Sequence, residues 1–244
     1  YPTFGPIGSS YSGSGTDIVI TKLNAAGNAL IGSVKIGGSG EDGVNISTNR
    51  SGSVSLDQNY GDDGRSEVQL DGAGNIYLAS SSQSTNFPMV NAFQASNNGG
   101  GNGQDGVVLK FTSNLSALLF STYIGGQGKD AAYFFELPPN GNIYIVVGNE
   151  STDFPRVPAS GVISSINSGV ADGFVSILSS NGVLLKSTYV GTNGIDQVYG
   201  IKFDKNGFPY IMGQTTGNWP VINAPYSNAG AKQFIAKLQP DLSG

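Results

Sequence analysis

The chain has 244 residues, no cysteine, no histidine, 37 glycines, 12% charged residues and a net charge of −5. Without histidine there is no Ser-His-Asp or Cys-His catalysis and no ordinary zinc site, and without cysteine no disulfide or thiolate chemistry. A negative chain lacking a basic cluster points away from nucleic acid, and no apolar run reaches the ~18 residues of a membrane-spanning helix.

Taken in chain order, short apolar strands recur with the same companions. The first follows an aspartate at Asp17-Ile18-Val19-Ile20, and a second ends in a glycine step at Ser33-Val34-Lys35-Ile36-Gly37-Gly38. An aspartate, Asp63, precedes a third strand. The turn Asp71-Gly72-Ala73-Gly74-Asn75 leads into Ile76-Tyr77-Leu78, and Phe87-Pro88 closes the unit. The second copy reads Asp105-Gly106-Val107-Val108, Ser121-Thr122-Tyr123-Ile124-Gly125-Gly126, Asp130, Pro139-Asn140-Gly141-Asn142, Ile143-Tyr144-Ile145 and Phe154-Pro155. The third reads Asp172-Gly173-Phe174-Val175, Ser187-Thr188-Tyr189-Val190-Gly191, Asp196, Asp204-Lys205-Asn206-Gly207, Pro209-Tyr210-Ile211 and Trp219-Pro220. Lys232-Gln233-Phe234-Ile235 starts a further copy, with lysine where the others have aspartate, and Tyr1-Pro2 sits where a preceding unit would close.

Four short strands joined by Asn-Gly and Asp-Gly turns predict an antiparallel meander, because those residues accept the positive φ of tight hairpins. Repeated meanders predict an all-β chain, a β-propeller built from four-stranded antiparallel blades. The expected division is a single propeller segment over 1–244: the end of a preceding blade at 1–16, repeats at 17–104, 105–171 and 172–231, and the start of the next blade at 232–244. Three complete repeats with partial ends fall short of the 4–8 blades that close a ring, so the chain reads as a segment of a longer protein. Remaining repeats of the parent or neighbouring subunits would then cover its edges. The first repeat is longer, with Gly37 to Gly125 separated by 88 residues against 66 from Gly125 to Gly191. The excess is expected as an insertion near 39–62, either a functional loop or cover for a strand edge.

The series of Asp-Gly-Phe-Val, Ser-Thr-Tyr-Ile/Val-Gly, Asp, Asn-Gly-Asn-Ile-Tyr-Ile and Asp-Phe-Pro resembles the bacterial SBBP repeat, a β-propeller repeat of secreted and surface proteins. The long first repeat, with Ile36-Gly37-Gly38-Ser39-Gly40-Glu41-Asp42 and Asn59-Tyr60-Gly61-Asp62-Asp63, is similar to a variant in large cell-surface proteins of gliding Bacteroidetes. That resemblance implies export by type IX secretion and an extracellular, cell-surface location. It supplies no catalytic residue set.

Three kinds of site are open to this composition. Asp42, Asn45, Asp57, Asp62 and Asp63, or the turn Asp71 to Asn75, offer oxygens to calcium, although none matches an EF-hand and such turns also arise for backbone reasons. Asp17, Asp105 and Asp172 are expected to accept backbone N–H groups at strand entries. Tyr60, Trp219, Tyr133 and Tyr199 are of the types that stack on sugars, which makes surface polysaccharide a partner to consider. Trp219 also occupies the repeated aromatic-proline position, where a packing wedge is expected. Glu67, Glu136 and Glu150 could serve as paired acids of a glycosidase or lyase, but no spacing selects a pair. The expected function is a non-catalytic structural or adhesive module, with a glycan-binding propeller as the alternative and a carboxylate hydrolase third.

Overall fold

The computed structural model describes residues 15–45, 64, 66–99, 103–155, 161–164, 166–228 and 230–244. Thirteen strands follow one another: β1 (Ile18–Leu23), β2 (Leu30–Ile36), β3 (Glu67–Leu70), β4 (Ile76–Ser82), β5 (Asp105–Phe111), β6 (Leu118–Ile124), β7 (Asp130–Glu136), β8 (Ile143–Asn149), β9 (Asp172–Leu178), β10 (Leu184–Val190), β11 (Asp196–Phe203), β12 (Pro209–Thr215) and β13 (Gln233–Lys237). Among the described residues there is no helix, so none is long and apolar enough to cross a membrane. Every strand pairing is antiparallel.

The tight hairpins follow from side chains that imitate backbone. Asp71 Oδ1 accepts the N–H groups of Ala73 and Asn75, and Asp204 Oδ1 accepts those of Asn206 and Phe208. Such Asx bonds close the turn locally, and Gly74 and Gly207 then supply φ of 79° and 83°, where a Cβ would be strained.

The meanders are those of propeller blades, but their frame is offset from the sequence repeat. The sheets run β3-β4-β5-β6, β7-β8-β9-β10 and β11-β12-β13, with β1-β2 forming a separate pair. Each four-stranded sheet therefore joins the last two strands of one repeat to the first two of the next. Spacing alone could not reveal this, because a periodic pattern looks the same from any starting strand.

The sheets stack through equivalent faces. Tyr77, Ala79 and Val108 of the first full sheet meet Ala132 and Phe135 of β7, and Tyr144, Val146 and Val175 of the second meet Val198 and Ile201 of β11. Behind the first sheet, Ile18, Ile20, Val34 and Ile36 of β1-β2 cover Ile76, Leu78, Val107 and Leu109. Because a middle sheet is covered on both faces, β4 and β9 are buried along their whole length, matching their continuous apolar and small-residue runs. The repeated aromatics lock the outer half of each sheet. The Tyr123 hydroxyl donates to Ser84 O and accepts from Phe87 N–H, as the Tyr189 hydroxyl does with Ser151 O and Phe154 N–H.

The first strands of the sheets, β7 and β11, carry a one-residue bulge at Tyr133 and Tyr199. In the first sheet the same strand is interrupted there. Asp42 bridges Ser82 as Asp130 faces Asn149, and Glu67 faces Ala79 as Phe134 faces Val146. The extra length of the first repeat thus lies at 45–66, in place of the single bulge residue. A bulge is where a strand already leaves its ladder, so it accepts an insertion without shifting register on either side.

Phe174 is fully buried between Phe154 and Tyr189. Phe174→Ala is expected to remove about 3–5 kcal/mol of stability, whereas Val183→Ala, on an exposed turn, should change it by less than about 0.5 kcal/mol. The midpoint of urea unfolding at unchanged slope measures both.

Candidate functional site

The two ends of the sheets differ. At one end the strands are joined by tight turns, at 24–29, 71–75, 112–117, 137–142, 179–183 and 204–208. At the other emerge the long connections 83–104, 150–171 and 216–232. Two of these connections turn back over the outer strand of a sheet. Val90 exchanges both backbone hydrogen bonds with Ser121 of β6, and Ser164 O accepts from Tyr189 N–H of β10. The connections so cover the strand edges, which would otherwise offer unpaired backbone groups.

At the base of this loop end runs a row of buried aspartates. Asp42, Asp105, Asp130, Asp172 and Asp196 are each at most 1% exposed, and the side chain of Asp17 is 1% exposed. One member of each pair reaches back four residues to the glycine step: Gly38 N–H donates to Asp42 Oδ2 at 2.6 Å, Gly126 N–H to Asp130 Oδ2 at 2.7 Å, and Thr192 N–H to Asp196 Oδ2 at 2.6 Å. This corrects the alignment of Asp63 with Asp130 and Asp196, since Asp42 fills that place. The signal was present in the sequence, because Gly37 to Asp42, Gly125 to Asp130 and Gly191 to Asp196 are all five residues apart. Ser84 and Ser151 hydroxyls bind the same Oδ2 atoms of Asp42 and Asp130 at 2.7 Å each, which ties the next connection into the joint.

The other member enters the third strand of each sheet. Asp105 Oδ2 accepts from Asn98 N–H and from Gln94 Nε2, and Asp172 Oδ2 accepts from Ser168 N–H, each at 2.8 Å. The expected strand-entry role is thus met at Asp105 and Asp172 but not at Asp17, whose carboxylate accepts no backbone N–H and pairs with Lys35 instead. The two aspartates of a pair face one another across the glycine: a Cβ on Gly37, Gly125 or Gly191 would lie within 3.0 Å of an oxygen from each. Burial pushes the carboxyl of Asp105 up to about 7, that of Asp130 to about 8 and that of Asp172 to about 6; the charge of the paired aspartate adds to the shift of Asp130 and of Asp172, and that of Asp153 to the shift of Asp105.

The residues singled out for ligands have varied positions. Tyr60, Asp57, Asp62 and Asp63 lie outside the described residues. Asp42 and Asn45 are buried, and their oxygens accept from protein donors: Ser82 and Ser84 hydroxyls and Gly38 N–H on Asp42, Ser81 and Gln104 on Asn45. Among the described residues no three acidic, His or Cys side chains gather as a metal would require. Trp219 is stacked on Phe234 with centroids 3.4 Å apart and planes 7° apart, as Phe154 packs on Phe174, so one face of the indole is committed to the packing wedge. Tyr133 and Tyr199 are buried bulge residues rather than a sugar platform.

Of the glutamates weighed for catalysis, Glu67 and Glu136 serve the inner strands, while Glu150 opens the connection 150–171. Glu67 Oε2 accepts from Phe135 N–H at 2.7 Å while Gln69 Nε2 donates to Phe135 O, and Glu136 pairs with Lys202. These contacts hold β3 to β7 and β7 to β11.

Gly125→Ala should destabilise by about 1–3 kcal/mol, because its methyl group would enter the space between two carboxyls, whereas Gly72→Ala, which meets nothing within 4 Å, should be near neutral. Thermal unfolding of the two variants provides the comparison.

No curated protein matches the chain. A family model, the SBBP beta-propeller repeat, matches residues 185–219, from the fourth strand of one sheet through the second strand of the next. The chain therefore carries the beta-propeller repeat type in sequence as well as in its sheets.

Proposed function

We propose that this chain is a non-catalytic structural or adhesive module of a bacterial cell-surface protein, working outside the cell and presenting its loop end to a protein or surface partner. The observation that carries this reading is the contrast between the ends: one is closed by tight turns, while the other collects every long connection above a row of side chains spent on backbone hydrogen bonds. Such a base fixes the loops in place without offering reactive groups to solvent. Exposed Val221 (63%), Ile222 (74%) and Tyr226 (81%) on the 216–232 connection are apolar contacts suited to a partner. The SBBP match, a repeat type of structural and interaction modules, agrees with this role. The resemblance of the long first repeat adds gliding Bacteroidetes and type IX export to the proposal, and further repeats of a parent protein or neighbouring subunits are its nearest partners.

Glycan binding is the second reading, favoured by the exposed Tyr226 among the asparagines of the same connection. Tyr60 and the outward face of Trp219 would contribute to it, and surface polysaccharide would be the ligand.

Beads coated with the chain, drawn by flow over surfaces bearing either bacterial envelope proteins or polysaccharides, distinguish the readings. Retention on protein, falling about tenfold when Val221, Ile222 and Tyr226 are changed together to serine, is the expected result. Selective, saturable retention on one polysaccharide, lost on Trp219→Ala with folding intact, would replace adhesion to protein by the lectin reading. Turnover of a polysaccharide that a single Glu→Gln change abolishes would overturn both.

A further inference from the structure

The paired aspartates leave an electrostatic account unfinished. Four carboxyl groups, Asp105 and Asp130 in one seam and Asp172 and Asp196 in the next, are at most 1% exposed, and Oδ1 of each has no hydrogen-bond partner. Among the described residues none of the four has a lysine or arginine in ion-pair contact. The first seam shows what a charge partner looks like: Lys35 Nζ stands 2.5 Å from Asp17 Oδ2, and Lys35 occupies the register position that Tyr123 and Tyr189 fill in the later repeats. Two buried anions facing one another without a counter-ion would cost several kcal/mol, so the unpartnered oxygens require either a cation or a proton.

The donors decide between these. The oxygens flanking Gly125 are Oδ1 of Asp105, which has no donor, and Oδ2 of Asp130, which already accepts from Gly126 N–H and Ser151 O–H. The oxygens flanking Gly191 are likewise the unpartnered Oδ1 of Asp172 and the Oδ2 of Asp196 that accepts from Thr192 N–H and O–H. Hydrogens directed at the receiving oxygen suit an acceptor of one more hydrogen bond and repel a cation placed beside it. No third acidic, His or Cys side chain joins either pair among the described residues.

We propose that each of these two seams holds one proton shared between its carboxyl groups, Asp105 with Asp130 and Asp172 with Asp196, so that the joint between neighbouring sheets is sensitive to pH. The charged and titratable groups around the first pair are Asp153 and Tyr123, which face Asp105, Glu150, whose N–H donates to Lys129 O beside Asp130, and Lys129 itself. Around the second pair, Lys232 lies across β12 and donates to Thr216 O, and Tyr189 lies on β10 with its hydroxyl on Ser151 O. The raised carboxyl values of Asp105, Asp130 and Asp172 fit a retained proton.

The direction of the effect follows from linkage. A carboxyl whose folded value lies above its unfolded one binds more proton when folded, so its stabilisation is complete below the unfolded value and is lost as pH rises through the folded value. Here that window runs upward from about 4 to about 8. With no histidine in the chain, no imidazole can imitate the effect.

The test is the melting temperature between about pH 5 and about pH 8, in chelator and in calcium, for the whole chain and for Asp105→Asn and Asp172→Asn. An asparagine can accept the bonds now made to Oδ2 and donate from its Nδ2 toward the facing carboxylate. The expected result is a melting temperature that falls by several degrees across this range, with each variant removing about half of the fall and melting above the parent at the alkaline end. An infrared band of protonated carboxyl, present near pH 5 and lost near pH 8, is expected from the parent chain and does not depend on the variants folding. A flat profile, an unchanged slope in both folded variants, absence of the infrared band, or a fall that calcium alone abolishes would each overturn the proposal, the last in favour of a bound cation.

Discussion

The joint between sheets depends on one short hydrogen bond, from the backbone N–H after a glycine to the carboxylate of an aspartate four residues on. It turns the chain from the last strand of one sheet into the first strand of the next and fixes the angle between them. The apolar faces that stack across the joint, Tyr144 and Val146 against Val198 and Ile201 for example, provide most of the burial but little direction. The bond at Asp196 gives them their register. Glycine is required at the step because both carboxyls of the pair approach it more closely than a Cβ would permit.

The contacts along the inner strands complete the frame. Glu67 and Gln69 bracket the backbone of Phe135, and Glu136 meets Lys202, so successive sheets are tied at their inner strands as well as at the loop end. Side chains with textures familiar from active sites are here occupied with holding strands together.

Much of the architecture was legible in the residues. Asn-Gly and Asp-Gly turns, glycine steps and recurring aromatics identified antiparallel meanders, and the described strands fall where those signals stood. The sheet frame was not legible, because a repeat has no intrinsic starting point and only hydrogen bonding shows which strands share a sheet. Asp63 stands close before the third strand, but the place of Asp130 and Asp196 is set by distance from the glycine step, which Asp42 keeps. The packing role of Trp219 was readable from its repeated position, since Phe87 and Phe154 stand in the same place. The pairing of Asp105 with Asp130 was hidden by their separation of 25 positions in the chain. Only the fold closes that interval across Gly125.

The offset between repeat and sheet bears on how such a chain can change length. Each four-stranded sheet takes half its strands from one period and half from the next, so gain or loss of a whole period splices two half-sheets in the same register as before. The seam, its glycine and its aspartates arrive intact on the new junction. An array built this way can be lengthened or shortened by recombination without designing a new interface, and its persistence as a repeat is then a property of where the sheets divide.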